Sequence, residues 1–245
     1  MRLISLISID STNTHAQRLI RDGLTEDSLI YSEEQTKGRG QRGNNWLSRP
    51  GDGVYCSYVF FHKDLPIVNQ FVFNMAMAVA VAAFVESKIQ GSIQVKWPND
   101  ILVNQKKIAG LLIENTIKGE KVGVSIVGVG LNLNQEWKEQ NFETPVTSIK
   151  AEAGIYTEYE IAVFELAKYI KRSKEQFDKG EFELIIKNYH QYLYKNQEVA
   201  EFIIENEIVE AKLEGVNADG TATILLNQEV VKVNHPQARM KVTHS

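Results

Sequence analysis

The chain has 245 residues, of which 43% are hydrophobic and 24% charged, as in a soluble globular protein with one ordinary domain and room for a small second one. Its formal net charge of −4 argues against a surface that coats nucleic acid or an acidic membrane, although it allows a local basic patch. The single cysteine, Cys56, cannot form an internal disulfide, and its apolar neighbours predict an inert core residue. Because the amino terminus also lacks a signal-peptide pattern, we predict a cytoplasmic protein.

Strands and helices are predicted in mixed order over residues 1–195. Apolar alternation and turn residues predict strands at residues 3–9, 28–33, 54–61, 93–96, 101–103, 107–115 and 122–134, the last four as an antiparallel meander. Helices are predicted at residues 12–22, at 69–88 and, in two pieces broken at Gly180, at 158–194. The most apolar stretch, 71–85, is too short for a membrane span, and we predict that it forms a buried core helix.

The pattern changes after Asn196, where short alternating segments predict a small all-β module. Its strands are expected at residues 199–204, 208–215, 222–226 and 230–233, with turns at Asn206-Glu207 and Asp219-Gly220. A module of about fifty residues is marginal by itself, so we expect it to pack against the rest of the chain. We therefore divide the chain into a main domain, 1–195, and a carboxy-terminal domain, 196–245.

A glycine-rich, basic loop joins the second and third predicted strands. Between Gln35 and Gly51 it has no acidic residue and four cations, which are Lys37, Arg39, Arg42 and Arg49. Glycines let backbone amides approach an anion, and arginines add a planar, charged grip on phosphate or carboxylate. The loop is therefore suited to phosphate, and Trp46 at its end offers an aromatic anchor for closing over a ligand. A flexible basic surface loop is the alternative on spacing alone.

Two lysine-containing segments follow. The sequence Val-Lys-Trp-Pro-Asn-Asp predicts a turn that presents Lys96 and Asp100 near one another. Asp100 could hold magnesium or accept a proton from an amine, whereas a plain turn with solvated charges is the alternative. Lys107 begins an apolar strand, where it could meet a carboxylate and a phosphate or simply reach solvent. Since Lys107 and Gly110 point to opposite faces of a regular strand, both can contact one ligand only through the Gly110 backbone or a bulge.

Two further segments combine small or polar residues with regular structure. By period two, one face of a predicted strand carries Gly128, Gly130, Asn132 and Asn134. This face leaves room for a flat ligand against the sheet, or else the strand is weakened by bulges. Before the first helix, Ser11 and Thr12 are either simple helix caps or partners for a neutral polar group of a ligand.

Taken together, these segments resemble the catalytic domain of biotin–protein ligases over residues 1 to about 180. The matching pieces, in the family's order and spacing, are Ser11-Thr12-Asn13, Gln35 with Gly38-Arg39-Gly40, Lys96-Trp97-Pro98-Asn99-Asp100, Lys107-Ile108-Ala109-Gly110 and Gly128-Val129-Gly130-Leu131-Asn132. Each piece is weak alone, but their combination is specific. The tail resembles the family's small SH3-like carboxy-terminal domain in size and strand pattern only.

The resemblance implies an α+β fold, with helices packed on a largely antiparallel or mixed sheet, and a two-step reaction. Biotin's carboxylate attacks the α-phosphate of ATP, giving biotinyl-5'-AMP and pyrophosphate, and an acceptor lysine then attacks this anhydride and releases AMP. ATP and biotin are the implied substrates, Mg²⁺ the implied ion, and the biotin carboxyl carrier domain of a biotin-dependent carboxylase the implied partner. A homodimer is compatible with the family, and the strand at 121–134 is a candidate exposed edge for it.

The resemblance also implies a role for each matching residue. The catalytic residues would be Lys107, Arg39 and Asp100, of which Asp100 is also the candidate metal ligand. The biotin-binding residues would be Ser11, Thr12, Asn13, Gln35, Gly38, Arg39, Gly40, Gln41, Lys107, Gly110 and Gly128. The ATP-binding residues would be Arg39, Arg42, Trp46, Lys96, Asn99, Lys107 and Asn132, with Trp46 on the adenine side. Such a set suits the chemistry, because two anions that must meet need cations to offset their repulsion.

Two departures from the family pattern have consequences. Many relatives carry basic residues where this chain has Gln41, Asn44 and Asn45, which implies either weaker retention of the adenylate or different ATP contacts. Some relatives carry an amino-terminal helix-turn-helix domain and act as repressors. Here the motifs begin at Ser11, which leaves no room for one, so we predict no DNA-binding role. The competing interpretations are a lipoate–protein ligase, a non-catalytic biotin- or nucleotide-binding regulator, and a purely structural dimer module.

Overall fold

The computed structural model describes residues 1–136 and 144–242, and of Arg42 the backbone only. The first part of the chain contains β1 (Arg2–Ile9), α1 (Thr12–Arg21), β2 (Ser28–Gln35), β3 (Gly53–Pro66), α2 (Gln70–Glu86), β4 (Ile93–Lys96), β5 (Asp100–Val103), β6 (Lys106–Lys118), β7 (Lys121–Asn132), α3 (Ile149–Ala153), α4 (Tyr159–Asp178) and α5 (Phe182–Tyr192). The second part contains β8 (Val199–Ile204), β9 (Glu207–Val216), β10 (Ala222–Leu226), β11 (Glu229–Val233) and β12 (Ala238–Met240).

The first seven strands form one mixed sheet in the order β1-β2-β3-β7-β6-β5-β4. Strands β1 and β2 are parallel, with α1 as their crossover, and every other neighbouring pair is antiparallel. The predicted α+β fold with a largely antiparallel sheet is therefore confirmed. The three longest strands, β3, β6 and β7, lie side by side in the middle of the sheet and support the cavity described below.

Helix α2 packs on the sheet and against α4 and α5. With the single 3-10 turn before it, it forms a 20-residue apolar helix that could cross a membrane by length and composition. The prediction that this stretch is too short for a span is therefore wrong, because the helix begins several residues earlier than the apolar stretch. The prediction of a buried core helix is confirmed, since Phe73, Val81 and Phe84 are fully buried. The Phe73 ring packs edge-on against Phe60 of the sheet and Phe177 of α4.

The last five strands form a separate antiparallel sheet in the order β11-β10-β9-β8-β12. Its buried side chains join the same hydrophobic cluster as those of the main sheet. The indole of Trp97 donates a 3.0 Å hydrogen bond to the carbonyl of Gly220, and the His190 ring accepts one of 3.1 Å from the Val216 amide. These contacts agree with the expectation that the module packs against the main domain. We retain the boundary between 195 and 196 as a proposal, supported by the change from helices to this second sheet.

Strand β7 is an interior strand of the main sheet. It pairs with β3 on one side and with β6 on the other. The prediction that residues 121–134 form an exposed edge is wrong, because both rows of their backbone hydrogen-bonding groups are already used. The edge strands of this sheet are β1 and β4, so strand-to-strand pairing of two copies would use one of those strands. Sedimentation at several concentrations measures whether copies associate.

Candidate functional site

A cavity of about 470 Å³ lies between the glycine-rich loop, the central strands and the carboxy-terminal sheet. Its lining includes most of the predicted site: Ser11, Thr12, Asn13, Gln35, Arg39, Gly40, Gln41, Trp46, Lys96, Asn99, Asp100, Lys107, Gly110, Gly128 and Asn132. Gly38 lines a second cavity of about 510 Å³, which shares Gln35, Arg39 and Trp46 with the first. The side chain of Arg42 lies outside the described residues. The five separated segments of the sequence thus meet around one space.

The loop folds back on itself as a short hairpin. The Trp46 amide donates to the Gly38 carbonyl at 2.9 Å, and the Gly40 amide donates to the Asn44 carbonyl at 2.7 Å. A Cβ atom at Gly38 would lie 2.5 Å from the Trp46 carbonyl oxygen, so the closure requires glycine there. The hairpin carries Arg39 and Trp46 to the cavity, which explains why glycines alternate with functional residues in this segment.

Asp100 lies between two lysines at one end of the cavity. Its Oδ1 is 2.7 Å from Lys107 Nζ and its Oδ2 is 3.6 Å from Lys96 Nζ. The β4–β5 hairpin positions Lys96 because it pairs directly with Asp100 across the turn. This confirms that the turn presents Lys96 and Asp100 together. The Asp100 side chain is only 15% exposed, so the alternative of solvated charges on a plain turn does not describe it.

A bulge in β6 brings Lys107 to the same place. Ile101 pairs with Ala109 but the next residue, Leu102, pairs with Lys107, so Ile108 is the extra residue on β6. As a result, Lys107 Nζ would lie 3.4 Å from a Cβ atom at Gly110, on the same side of the sheet. The structure therefore contains the bulge that was predicted as one way for Lys107 and Gly110 to contact the same ligand.

The two lysines determine the charge of Asp100. Burial raises the pKa of its carboxyl group, but the positive charges of Lys107 and Lys96 and their hydrogen bonds outweigh burial and hold it below its ordinary value. Asp100 is therefore ionised near neutral pH. The cluster presents Lys107 and Lys96 to the cavity as cations whose positions are fixed by one buried carboxylate.

The donor set around Asp100 does not fit a metal ion held by the protein alone. The described part of the chain contains no group of three or more histidine, cysteine, aspartate or glutamate side chains that could ligate one. Asp100 itself is engaged by Lys107 and Lys96. Magnesium is commonly held by one or two carboxylates together with substrate phosphates, and such an ion would arrive with the nucleotide.

Hydrogen-bonded side chains line the opposite end of the cavity. Gln35 Oε1 accepts from the Thr12 amide at 2.8 Å, and the Ser57 hydroxyl lies 2.8 Å from Thr12 Oγ1 and 2.6 Å from Asn13 Oδ1. Ser11 is the N-cap residue of α1 by position, but its side chain makes no capping hydrogen bond and is buried at the cavity. The alternative prediction, that the Ser11 side chain simply caps the helix, is therefore not found in the structure.

The glycines of β6 and β7 make room for two side chains of the protein itself. A Cβ atom at Gly130 would lie 2.4 Å from the Trp46 indole, and one at Gly128 would lie 2.3 Å from Asn13 Oδ1. The flat group on this predicted glycine face is thus the Trp46 ring. Lys107 Nζ lies 5.4 Å from the centre of that ring, a cation–π distance.

Two predicted ATP-binding residues have structural hydrogen bonds. Asn132 Nδ2 donates to the Thr147 carbonyl at 2.9 Å, and Asn99 Nδ2 donates to the Leu111 carbonyl at 2.6 Å. Both bonds join segments that surround the cavity. Asn134, the last residue of the predicted glycine face, bonds to the carbonyl of Thr157 and does not line the cavity.

Several residues in or next to the cavity were missed by sequence reasoning. Ser57 does not line the cavity but contacts Thr12 and Asn13, which do, and its only signal in the sequence was a lone hydroxyl in an apolar strand. The carboxy-terminal sheet and the segment around it add His235, Arg239, Met240, Lys241 and Val242 to the rim. Only the alternation of Arg239 and Lys241 near the end of the chain hinted at a basic wall. Their approach to the site depends on how the two sheets pack.

Comparison with known proteins places the chain in a family. Residues 5–132, about half of the chain, match the Biotin/lipoate A/B protein ligase family. The chain belongs to this family. The fold expected from the resemblance is likewise found in a solved structure, "Biotin protein ligase from Aquifex aeolicus in complex with biotin and ATP", with a TM-score of 0.82, 24% identity and 99% of both chains covered. At that identity the likeness concerns the fold alone.

Curated members of the ligase family match different shares of the chain. The Bifunctional ligase/repressor BirA of Bacillus spizizenii is 34% identical over 128 residues, which are 52% of this chain and 39% of that protein. The Biotin--[acetyl-CoA-carboxylase] ligase of Paracoccus denitrificans is 31% identical over 176 residues, which are 71% of this chain and 73% of that protein. The chain thus spans about two fifths of the first relative and most of the second.

Proposed function

We propose that this chain is a biotin–protein ligase that uses ATP to attach biotin to a specific lysine of a biotin carboxyl carrier domain. The observation that carries the proposal is the cavity itself, which has the lysine–aspartate cluster at one end, the Thr12–Gln35 hydrogen-bonding set at the other, and the Arg39 loop beside both. A molecule with a neutral polar ring, a carboxylate and an added phosphate fits that order of groups.

In the proposed first step, a carboxylate oxygen of biotin bonds to the α-phosphorus of ATP and pyrophosphate leaves. Lys107 and Lys96 offset the repulsion between the two anions, and Lys107 contacts the carboxylate and the α-phosphate. Arg39 and Trp46 close over the mixed anhydride and keep water away from it. Because the charged groups are held by Asp100 and Glu114 before substrate arrives, little reorganisation is needed.

In the proposed second step, the amine of the acceptor lysine bonds to biotin's carbonyl carbon and AMP leaves. The amine of the acceptor lysine must lose a proton. The carboxylate of Asp100, which lies in the cavity beside Lys107 and Lys96, is the candidate acceptor of that proton. Magnesium would accompany the ATP phosphates, with Asp100 as its candidate protein ligand, and would neutralise part of their charge.

The residue roles carry over as part of the same proposal. The catalytic residues are Lys107, Arg39 and Asp100. Biotin is bound by Ser11, Thr12, Asn13, Gln35, Gly40, Gln41, Gly110 and Gly128 together with Arg39 and Lys107. ATP is bound by Arg39, Trp46, Lys96, Asn99, Lys107 and Asn132. For Gly38 the support is indirect, because it closes the loop rather than lining the cavity. The enzyme is proposed to work in the cytoplasm, where carboxylases and ATP are available.

A lipoate–protein ligase is the second candidate, because the family that matches residues 5–132 includes both kinds of enzyme. The two substrates differ at the ring. Biotin's cyclic urea has N–H donors and a carbonyl acceptor, whereas a dithiolane ring has neither. The polar set around Thr12 and Gln35 therefore favours biotin.

The test is ATP–pyrophosphate exchange with purified protein, magnesium and either biotin or lipoate. We expect exchange with biotin and none above background with lipoate. Exchange with lipoate alone would transfer the protein to the second candidate. Tight binding of biotin without exchange would instead indicate the non-catalytic regulator.

Arg39→Ala should lower kcat/KM for ATP in this exchange by about tenfold, the loss typical of one charge-assisted contact in a site. Arg39 lines the cavity from the loop, whereas Arg49, from the same basic segment, lies outside it. Arg49→Ala is therefore the matched control and should behave like the wild type. Equal activity of the two variants would remove Arg39 from the proposed site.

A further inference from the structure

The carboxylate of Glu114, on β6, contacts both the Arg39 loop and the start of α1. Its Oε1 lies 2.9 Å from the Arg39 guanidinium, and its Oε2 accepts a 2.8 Å hydrogen bond from Asn13 Nδ2. The Glu114 side chain is only 25% exposed. Each carboxylate oxygen is thus engaged by a different element, one by the glycine-rich loop and the other by the start of α1.

The hydrogen bonds continue from Asn13 into the sheet. The Asn13 amide nitrogen also donates to the Leu112 carbonyl at 3.1 Å, and its Oδ1 lies 2.6 Å from the fully buried hydroxyl of Ser57. That hydroxyl lies 2.8 Å from Thr12 Oγ1. The chain of contacts therefore runs without a gap from Arg39 through Glu114, Asn13 and Ser57 to Thr12.

The carboxylate at one end fixes the direction of the bonds in this chain as far as Ser57. A carboxylate only accepts, so the Asn13 amide must turn its NH₂ group to Glu114 and its oxygen to Ser57. The single Ser57 proton is then used on Asn13, and the Ser57 oxygen can accept the Thr12 proton. This order fits the distances, because Thr12 Oγ1 is closer to Ser57, at 2.8 Å, than to Gln35 Oε1, at 3.2 Å.

The same logic sets what the cavity presents to a ligand. With its proton directed at Ser57, Thr12 Oγ1 has lone pairs left for an incoming N–H group. Gln35 Oε1 accepts from the Thr12 amide, which leaves Gln35 Nε2 as a donor for a carbonyl. An acceptor beside a donor matches one edge of a cyclic urea.

We propose that Glu114 is a positioning residue for both ends of the bound adenylate: it anchors the Arg39 loop and, through Asn13 and Ser57, keeps Thr12 an acceptor for the N–H of the substrate ring. This inference rests on the proposed function for the identity of the ring, but the anchoring of the loop does not depend on it. Gly128 is also required for this hydrogen-bond chain, since any Cβ atom there would displace the Asn13 carboxamide.

The test uses Glu114→Gln in the full chain. Glutamine keeps the size but is neutral and has only one acceptor oxygen, so the ion pair with Arg39 is lost and Arg39 and Asn13 compete for that oxygen. We expect biotin's Kd, measured by calorimetry without ATP, to rise about tenfold, as for a lost buried hydrogen-bond network. We also expect tryptic cleavage after Arg39 in the ligand-free protein to be severalfold faster, because the loop has lost its ion pair.

Further variants test the connection to Thr12 separately from the anchoring of the Arg39 loop. Ser57→Ala interrupts the chain beyond Asn13, so it should weaken biotin binding like Glu114→Gln while cleavage after Arg39 stays at the wild-type rate. Glu120→Gln removes a carboxylate from the turn after β6, outside the cavity, and should leave both measurements unchanged. Thermal unfolding of each variant identifies general loss of structure, which would change cleavage at many sites rather than after Arg39.

Each outcome has a defined meaning. Wild-type values of both Kd and cleavage for Glu114→Gln would overturn the proposal. Unchanged affinity in Ser57→Ala would overturn the connection to Thr12, and unchanged cleavage after Arg39 in Glu114→Gln would overturn the anchoring of the loop. If the wild-type protein failed to bind biotin, the proposed function would fall, while the cleavage measurement would still decide the role of Glu114 toward Arg39.

Discussion

Replacing Lys107 with alanine should lower biotin-dependent ATP–pyrophosphate exchange by about 100-fold or more, the range found for removing a preorganised charge at a reacting centre. Lys107 is the cation held between Asp100 and the Trp46 ring, at 2.7 Å from the carboxylate and 5.4 Å from the ring centre. The neighbouring Lys106 does not line the cavity and pairs with Glu152, so Lys106→Ala is the matched control and should retain exchange.

Loss of Lys107 should also destabilise the fold, because Asp100 would keep only the 3.6 Å contact with Lys96. Breaking a buried pair by removing one partner typically costs about 3–5 kcal/mol. The double variant Lys107→Ala/Asp100→Asn removes the stranded charge and should recover much of the unfolding free energy without recovering exchange. Exchange in folded Lys107→Ala within a few fold of wild type would reject the assignment of Lys107.

Gly130→Ala should prevent the Trp46 ring from reaching its place on the sheet. The new Cβ would lie 2.4 to 2.8 Å from three atoms of the indole, which has no flexible end that could move aside. The loop must therefore shift, and a misplacement of about 1 Å can cost about 100-fold in rate. We expect a loss of exchange of this order and a change in the Trp46 contribution to fluorescence, measured as the difference from Trp46→Phe.

The same strand provides the control for this steric effect. At Gly123 a Cβ would lie 3.6 Å from the nearest atom, the Thr116 carbonyl oxygen, which is an ordinary contact. Gly123→Ala should therefore keep both the exchange rate and the emission of Trp46. In a Trp46→Ala background, Gly130→Ala should cause no further loss. Additive losses there would mean that Gly130 acts on something other than the indole.

The loop positions at which this chain lacks the basic residues of many relatives lie at the cavity. Gln41, Asn44 and Asn45 all line it, so the positions that carry cations in many relatives are neutral next to the site. Arg239 of β12 and Lys241, the first residue after Met240, also line the cavity, and Lys241 pairs with Glu201 at 2.9 Å. The carboxy-terminal part of the chain therefore contributes basic residues to the cavity lining, and weaker retention of the adenylate and different ATP contacts both stay predictions.

Local pattern was sufficient to predict most of the secondary structure, and most of the site residues predicted from it line one cavity. Alternation and turn residues located the strands of both sheets within a few residues, because they depend on neighbours along the chain. The two elements that were missed, α3 and β12, have five and three residues. Elements this short have little periodicity, and β12 exists because it pairs with β8, which is a contact between distant residues.

The sequence by itself predicted a set of site residues, most of which line one cavity, since the motifs of the loop, of the Lys96–Asp100 turn and of Lys107 are local. Only the tertiary structure decided how they act on one another. It placed β7 inside the sheet, turned Lys107 toward Asp100 through a bulge, and filled the glycine face with Trp46. It also connected Glu114 to Asn13, 101 residues apart in the chain. Such relations depend on strand register and on the packing of distant segments, and a one-residue change of register would reverse the face of each side chain.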